Sequence, residues 1–179
     1  MTAAYVFDTE AIIAFLYAEP GHEAVERRLA EVFREDAAGR ESSEPSVAGA
    51  PEDAGEQSSP SPRSTSSRED AEGLLAASNA SEVFYLVARF EGDSNEPTTA
   101  SLRTADRDVR ALERRGLSVQ RADWRLVGEI KAHGDISLAD ACAVALAHDR
   151  DATLLAGADD DFDDLPVDVS VERFRTDGV

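Results

Sequence analysis

The chain has 179 residues, with 37 Asp and Glu against 18 Lys and Arg and a formal charge of −19. That length suffices for one well-buried core and calls for no second domain, so residues 1–179 are read as a single domain. The lone Cys142 rules out an internal disulfide, and no stretch of about 18 apolar residues is present to cross a membrane. Without a basic leader ahead of a long apolar run, the protein is expected to be soluble and cytoplasmic.

Residues 3–7 form a short apolar run closing on Asp8, the pattern of a buried parallel strand. Ile12, Phe15 and Leu16 then recur at helical spacing up to Pro20-Gly21. A second amphipathic helix sets Val25, Leu29, Val32 and Phe33 against Glu26, Arg27, Arg28 and Glu31. From about 35 to 70 the chain is Ser, Pro, Gly, Glu and Asp with scarcely a large apolar side chain. It cannot bury enough surface to offset the entropy of ordering and is predicted to be a disordered insertion.

Order is predicted to resume at Gly73, with a strand over Leu74 to Ser78 and Asn79 as N-cap of a helix whose Val83, Phe84, Val87 and Phe90 face inward. A polar turn from Glu91 to Pro97 leads to a long helix with Leu102, Ala105, Val109 and Leu112 on its core stripe, ended by Gly116. Leu117 to Arg121 read as a strand, and Trp124, Leu126, Val127 and Ile130 as a helix. Ser137 opens another helix to about His148; strands follow over Ala152 to Ala156 and, at an edge, Val167 to Val171. Strands alternating with helices imply an α/β fold, a three-layer sandwich with a mostly parallel sheet covered on both faces. In such sheets chemistry collects at the carboxyl ends of the strands.

Asp8, Glu82, Asp140 and Asp159 each interrupt core-forming sequence. Burying an isolated carboxylate costs several kcal/mol after relaxation, so protonation, an ion pair or a metal must compensate, and an all-oxygen donor set favours Mg²⁺ or Mn²⁺. Ordinary helix-start roles compete with this reading: Asp8 suits an N-cap, and Glu82 and Asp140 stand three residues after Asn79 and Ser137 in capping-box spacing. Asp159 sits in an acidic run that solvent alone would satisfy. His22, His133 and His148 suit helix-terminal roles, and no Cys or His spacing suggests zinc. Arg103, Arg107, Arg110 and Arg114 line one helix face, either as intrahelical ion pairs with Asp106, Asp108 and Glu113 or as a surface for phosphate or an acidic partner.

In order, Val6-Phe7-Asp8-Thr9, Ser81-Glu82-Val83-Phe84-Tyr85-Leu86-Val87-Ala88-Arg89, Ile136-Ser137-Leu138-Ala139-Asp140-Ala141 and Leu154 through Phe162 resemble a PIN domain, most closely the VapC-type ribonucleases of toxin–antitoxin pairs. The resemblance implies a metal-dependent endoribonuclease acting on RNA. Asp8, Glu82, Asp140 and Asp159 match the family's acidic positions around Mg²⁺ or Mn²⁺, with Asp161 as an outer ligand. An antitoxin protein is the implied partner and a homodimer the implied assembly. The scarcity of lysine, with Lys131 alone, and the abundance of Ala, Asp and Glu resemble proteins of salt-loving archaea. In molar salt the Debye length is roughly 3 Å, so the acidic surface does not exclude a nucleic-acid substrate.

The chain departs from the family at two positions, with Glu10 where a serine is common and Gly157 where a Thr or Ser often stands, which bears on how ligands and waters are oriented. Two alternatives follow. One is a PIN-like binding module with little catalysis. The other is a phosphatase of the haloacid dehalogenase type, in which Asp8-Thr9-Glu10, Lys131 and the acids from Asp159 to Asp163 would take the roles; it leaves Glu82 and Asp140 without work.

Overall fold

The computed structural model describes residues 2–33, 71–158 and 160–175. The predicted insertion and Asp159 lie outside the described residues. The elements, in chain order, are β1 (Ala4–Phe7), α1 (Thr9–Tyr17), α2 (His22–Val32), β2 (Glu72–Ala76), α3 (Ala77–Phe90), α4 (Thr99–Arg115), β3 (Leu117–Gln120), α5 (Trp124–His133), α6 (Leu138–Arg150), β4 (Thr153–Ala156) and β5 (Ser170–Arg173). A 3-10 turn, Asp160–Phe162, lies between β4 and β5.

The strands form one five-stranded sheet in the order β3-β2-β1-β4-β5, parallel throughout. The period-2 alternation of each strand divides the core in two. Tyr5, Phe7, Leu75 and Leu155 face one layer with Ile12, Val25, Leu29, Val83 and Leu112, which come from α1 to α4. Val6, Leu74, Ala76 and Leu154 face the opposite layer with Val127, Ile130, Val144 and Leu146 of α5 and α6. Two helical layers about a parallel sheet are the predicted architecture. Among the described residues no helix is long and apolar enough to cross a membrane.

Three local expectations fail. The second strand ends at Ala76 rather than Ser78, and α3 begins at Ala77 with Ala76 in the cap position, so Asn79 is not a cap but a buried residue of the first helical turn. Small residues from Ala76 to Ala80 let the chain turn directly from strand into helix, with no loop residue to announce the boundary. Phe90 and Leu102, predicted to face inward, are 51% and 43% exposed; Phe90 rests edge-on against Tyr17 at 5.4 Å between ring centroids. The last strand is Ser170–Arg173, while Val167 and Val169 pack against the second layer ahead of it.

Gly73 shows how tightly the first layer closes. It sits in β2 between Tyr5 and Leu117, and a Cβ there would overlap the methyl groups of Val32 on α2. Gly73→Ala is therefore expected to lower stability by about 1–3 kcal/mol, the usual cost of forcing an extra methyl into a packed core. A urea midpoint unchanged by the substitution would mean that α2 moves aside without loss.

Candidate functional site

The topology decides which side chains meet. β1 lies at the centre of the sheet with β2 and β4 on either side, so the chain leaving β1, the helix leaving β2 and the helix entering β4 share the carboxyl edge. Asp8 leaves β1, Asn79 and Glu82 lie one turn apart on α3, and Asp140 lies in the first turn of α6. The spacing of Asn79 and Glu82 puts both on one helix face.

Asp8 is only 5% exposed. Its backbone N–H donates to the Leu155 carbonyl at 3.0 Å, tying the end of β1 to β4, and its backbone occupies the N-cap position of α1 without a side-chain capping bond. Instead the carboxylate accepts from Asn79 Nδ2 at 3.0 Å on Oδ1. The same amide donates to Thr9 Oγ1 at 3.1 Å, and Thr9 Oγ1 in turn donates to Glu82 Oε2 at 2.7 Å. A continuous chain of hydrogen bonds thus links Asp8 to Glu82 through a fully buried amide and a buried hydroxyl.

Burial pushes the Asp8 pKa up from 3.8 to about 7, with the Asp140 charge the next cause and Glu82 adding to the rise, while the nearby Thr9 and Glu10 backbone N–H groups, which fall short of capping geometry, pull it down. Carboxylates brought together where water is scarce resist joint ionisation. A buried acid with a strongly raised pKa beside other acids is a mark of functional sites, and a bound cation relieves the same repulsion.

Asp140 and Glu82 are both half-buried. The Asp140 backbone N–H donates to Ser137 Oγ at 3.1 Å, so Ser137 is the N-cap of α6, while the charge of Asp140 acts on Asp8. Capping and electrostatic roles coexist at this helix start. The capping-box alternative for Glu82 is not formed, since Asn79 is no cap. Asp161 is exposed on the 3-10 turn, bordering a groove with His133, Gly134, Asp135 and Asp164. Among the described residues, which do not include Asp159, no three His, Cys, Asp or Glu side chains are placed so that they could hold a metal ion.

Thr9 and Asn79 are the site residues that the sequence reading missed. Thr9 carries no signal beyond its place after Asp8, and Asn79 gave a misleading one. The other motifs take bland roles. His22, His133 and His148 each face a backbone carbonyl, of Glu19, Glu129 and Asp168. On α4, Arg110 pairs with Asp106 at 2.9 Å and Arg107 with Asp108 at 3.1 Å. The phosphatase alternative loses its parts, because Lys131 donates to the Ile136 carbonyl and Glu10 is held by Arg175.

A parallel α/β domain with carboxylates drawn from neighbouring elements to the carboxyl edge of its central strands defines the class. The sequence model of the PIN domain matches residues 61–168, and the chain belongs to the PIN domain family. PIN domains are generally nucleases. The matched span holds Glu82, Asp140 and Asp159 and leaves Asp8 ahead of it. No curated protein matches the chain. A solved structure, that of VapBC2 from Rickettsia felis bound to a DNA fragment from their promoter, is similar with a TM-score of 0.57 and 11% identity, over 95% of this chain and 98% of that one. At that identity the likeness is one of fold.

Proposed function

We propose that the protein is a metal-dependent endoribonuclease that hydrolyses RNA phosphodiesters and acts as the toxin of a toxin–antitoxin pair in the cytoplasm. The observation that carries the reading is the buried Asp8 carboxylate, its pKa driven up by burial and by Asp140 and Glu82 beside it. Asp8, Glu82 and Asp140, with Asp159, would hold Mg²⁺ or Mn²⁺, and Asp161 would serve as an outer ligand. The donor set is all oxygen and suits these hard cations. Such an ion, when bound, makes a nucleophile of water at neutral pH and stabilises the charge developing on the phosphodiester.

The protein's own groups supply orientation. Asn79 fixes one oxygen of Asp8, and Thr9 fixes one oxygen of Glu82, so both carboxylates are oriented by the fold. No covalent nucleophile is required of the protein. An antitoxin and a second copy of the chain are the proposed partners; the similar solved structure is itself an assembly named VapBC2.

The test is cleavage of a mixed RNA pool by purified protein, with Mn²⁺ or with EDTA, across KCl from low to molar. Cleavage is expected with Mn²⁺ only. On a chain of charge −19 the initial rate should rise with KCl, because screening the acidic surface outweighs counterion release by basic side chains. Folding is followed separately by circular dichroism. No cleavage in any salt with the protein folded would leave the binding-module alternative standing, and cleavage that persists in EDTA would overturn the metal-dependent reading. A rate that falls steadily with salt would mean that the arginines of α4 dominate substrate capture.

A further inference from the structure

Glu10 and Gly157, the positions at which the chain lacks the hydroxyl residues common in the family, lie against each other. Glu10 is in the first turn of α1, and Gly157 follows β4 directly, two residues before Asp159 in the sequence. A Cβ on residue 157 would fall on the Glu10 carboxylate, so no residue but glycine fits while Glu10 keeps its place.

The Glu10 carboxylate is itself held. Arg175 pairs with it through Nη1, and the same guanidinium reaches Glu19 Oε2 through Nη2 at 2.6 Å and the Pro20 carbonyl through Nε at 2.8 Å. Beside it Arg173 Nη1 donates to the Gly157 carbonyl at 3.2 Å. The end of β5 and the residues just after it therefore clamp the exit of β4 onto the start of α1 with two arginines, Arg173 and Arg175. Backbone approach is close on this side too, because Gly21, at φ +87°, would bring a Cβ within 2.6 Å of the Phe174 carbonyl oxygen.

We propose that Glu10 and Arg175 are positioning residues of the acidic site, replacing the family's pair of hydroxyls with a carboxylate that fills the space over Gly157 and a guanidinium that neutralises and anchors it. The inference rests on the nuclease reading of that site. Glu10 thus sets the separation between the start of α1, which follows Asp8, and the exit of β4 at Gly157. A serine at position 10 would leave the space above Gly157 empty and Arg175 without one of its two carboxylates. Removing Arg175 instead leaves an unneutralised anion two residues from Asp8. Lysine could not substitute for its fork, which holds two carboxylates and a carbonyl at once.

The experiment measures Mn²⁺ affinity by calorimetry, kcat and KM for RNA, and the melting temperature in EDTA. The variants are Glu10→Ser, Gly157→Thr, their double, Arg175→Gln and, as reference, Asp8→Asn. Glu10→Ser, Gly157→Thr and Arg175→Gln should each weaken Mn²⁺ binding about tenfold, the range for losing a group that orients ligands, with KM little changed. The double Glu10→Ser with Gly157→Thr should recover to within about threefold of the original protein, since it restores the hydroxyl pair. Should Gly157→Thr fail to fold, Glu10→Ser and Arg175→Gln still decide, because both residues are partly exposed. Unchanged Mn²⁺ affinity in those two, or a double no better than its singles, overturns the inference while leaving the nuclease reading intact if Asp8→Asn abolishes binding. An original protein that binds no Mn²⁺ overturns both.

Discussion

Asp8→Asn is expected to reduce RNA cleavage by at least about 100-fold, beyond the 10–100 typical of losing an outer partner of a metal ligand, while making the metal-free protein more stable at alkaline pH. The two effects share a cause. In EDTA the buried carboxylate is ionised against Asp140 and Glu82, and its pKa stands near 7 rather than 3.8. Between those values the folded protein binds more protons at this site than the unfolded chain does. Stability from this group is therefore fully present below about pH 4 and is lost as pH rises through 7. At 1.36 kcal/mol per pH unit the loss amounts to no more than about 4 kcal/mol. An amide at position 8 keeps an oxygen to accept from Asn79 and carries no charge, so it removes the loss. Melting temperatures in EDTA at pH 4 and pH 8 check the sign: the variant should match the original at pH 4 and exceed it at pH 8. A variant less stable at both would make Asp8 a helix-start residue whose charge the fold needs.

The same pair of residues shows what could be read in the chain and what could not. β1 and β4 were legible because unbroken apolar runs of strand length mark strands buried on both faces, and Asp8 was legible because it ends such a run. The join of β2 to α3 was not, since Leu74-Leu75-Ala76-Ala77-Ser78 contains no Gly, Pro, Asn or Asp to mark a turn and suits strand or helix alike. The boundary is set by how far β2 can pair with β1 and β3 before small side chains admit the helix. Asn79 was misassigned for the same reason: a good capping residue near a helix start looks like a cap, and only its burial reveals that it faces Asp8. The periodicity of α3 and α4 gave their buried stripes at Val83, Val87, Ala105 and Leu112, but it could not place their edges, where Phe90 and Leu102 meet solvent. Arg175 had no local signal at all, since its contacts with Glu10 and Glu19 span most of the chain. Residues whose role is set by burial or long-range charge are the ones that a one-dimensional pattern cannot assign.

Asn79→Asp should be the most destabilising single-atom change near the site. It exchanges the Nδ2 that donates to Asp8 Oδ1 at 3.0 Å for an oxygen, in a position with 0% exposure. Two carboxyls at that separation cannot both ionise, so one proton must be held between them or both charges must be tolerated without water. At pH 8 in EDTA the cost is expected to be about 3 kcal/mol or more, comparable with breaking a buried charge pair. At pH 5 a shared proton restores a hydrogen bond between the two groups, and most of the stability should return. Asn79→Leu separates charge from lost hydrogen bonding: it removes the donor to Asp8 and to Thr9 Oγ1, should cost about 1–3 kcal/mol, and should show no comparable recovery at pH 5. Mn²⁺ adds the decisive comparison. If the acids at this edge hold a cation, the ion should raise the melting temperature of Asn79→Asp at pH 8 by more than that of the original protein, because it neutralises the added charge where it hurts most. A melting temperature for Asn79→Asp that is independent of pH and blind to Mn²⁺ would mean that the amide does not face Asp8 in a dry pocket, and the acidic edge would then be a solvated surface rather than a metal centre.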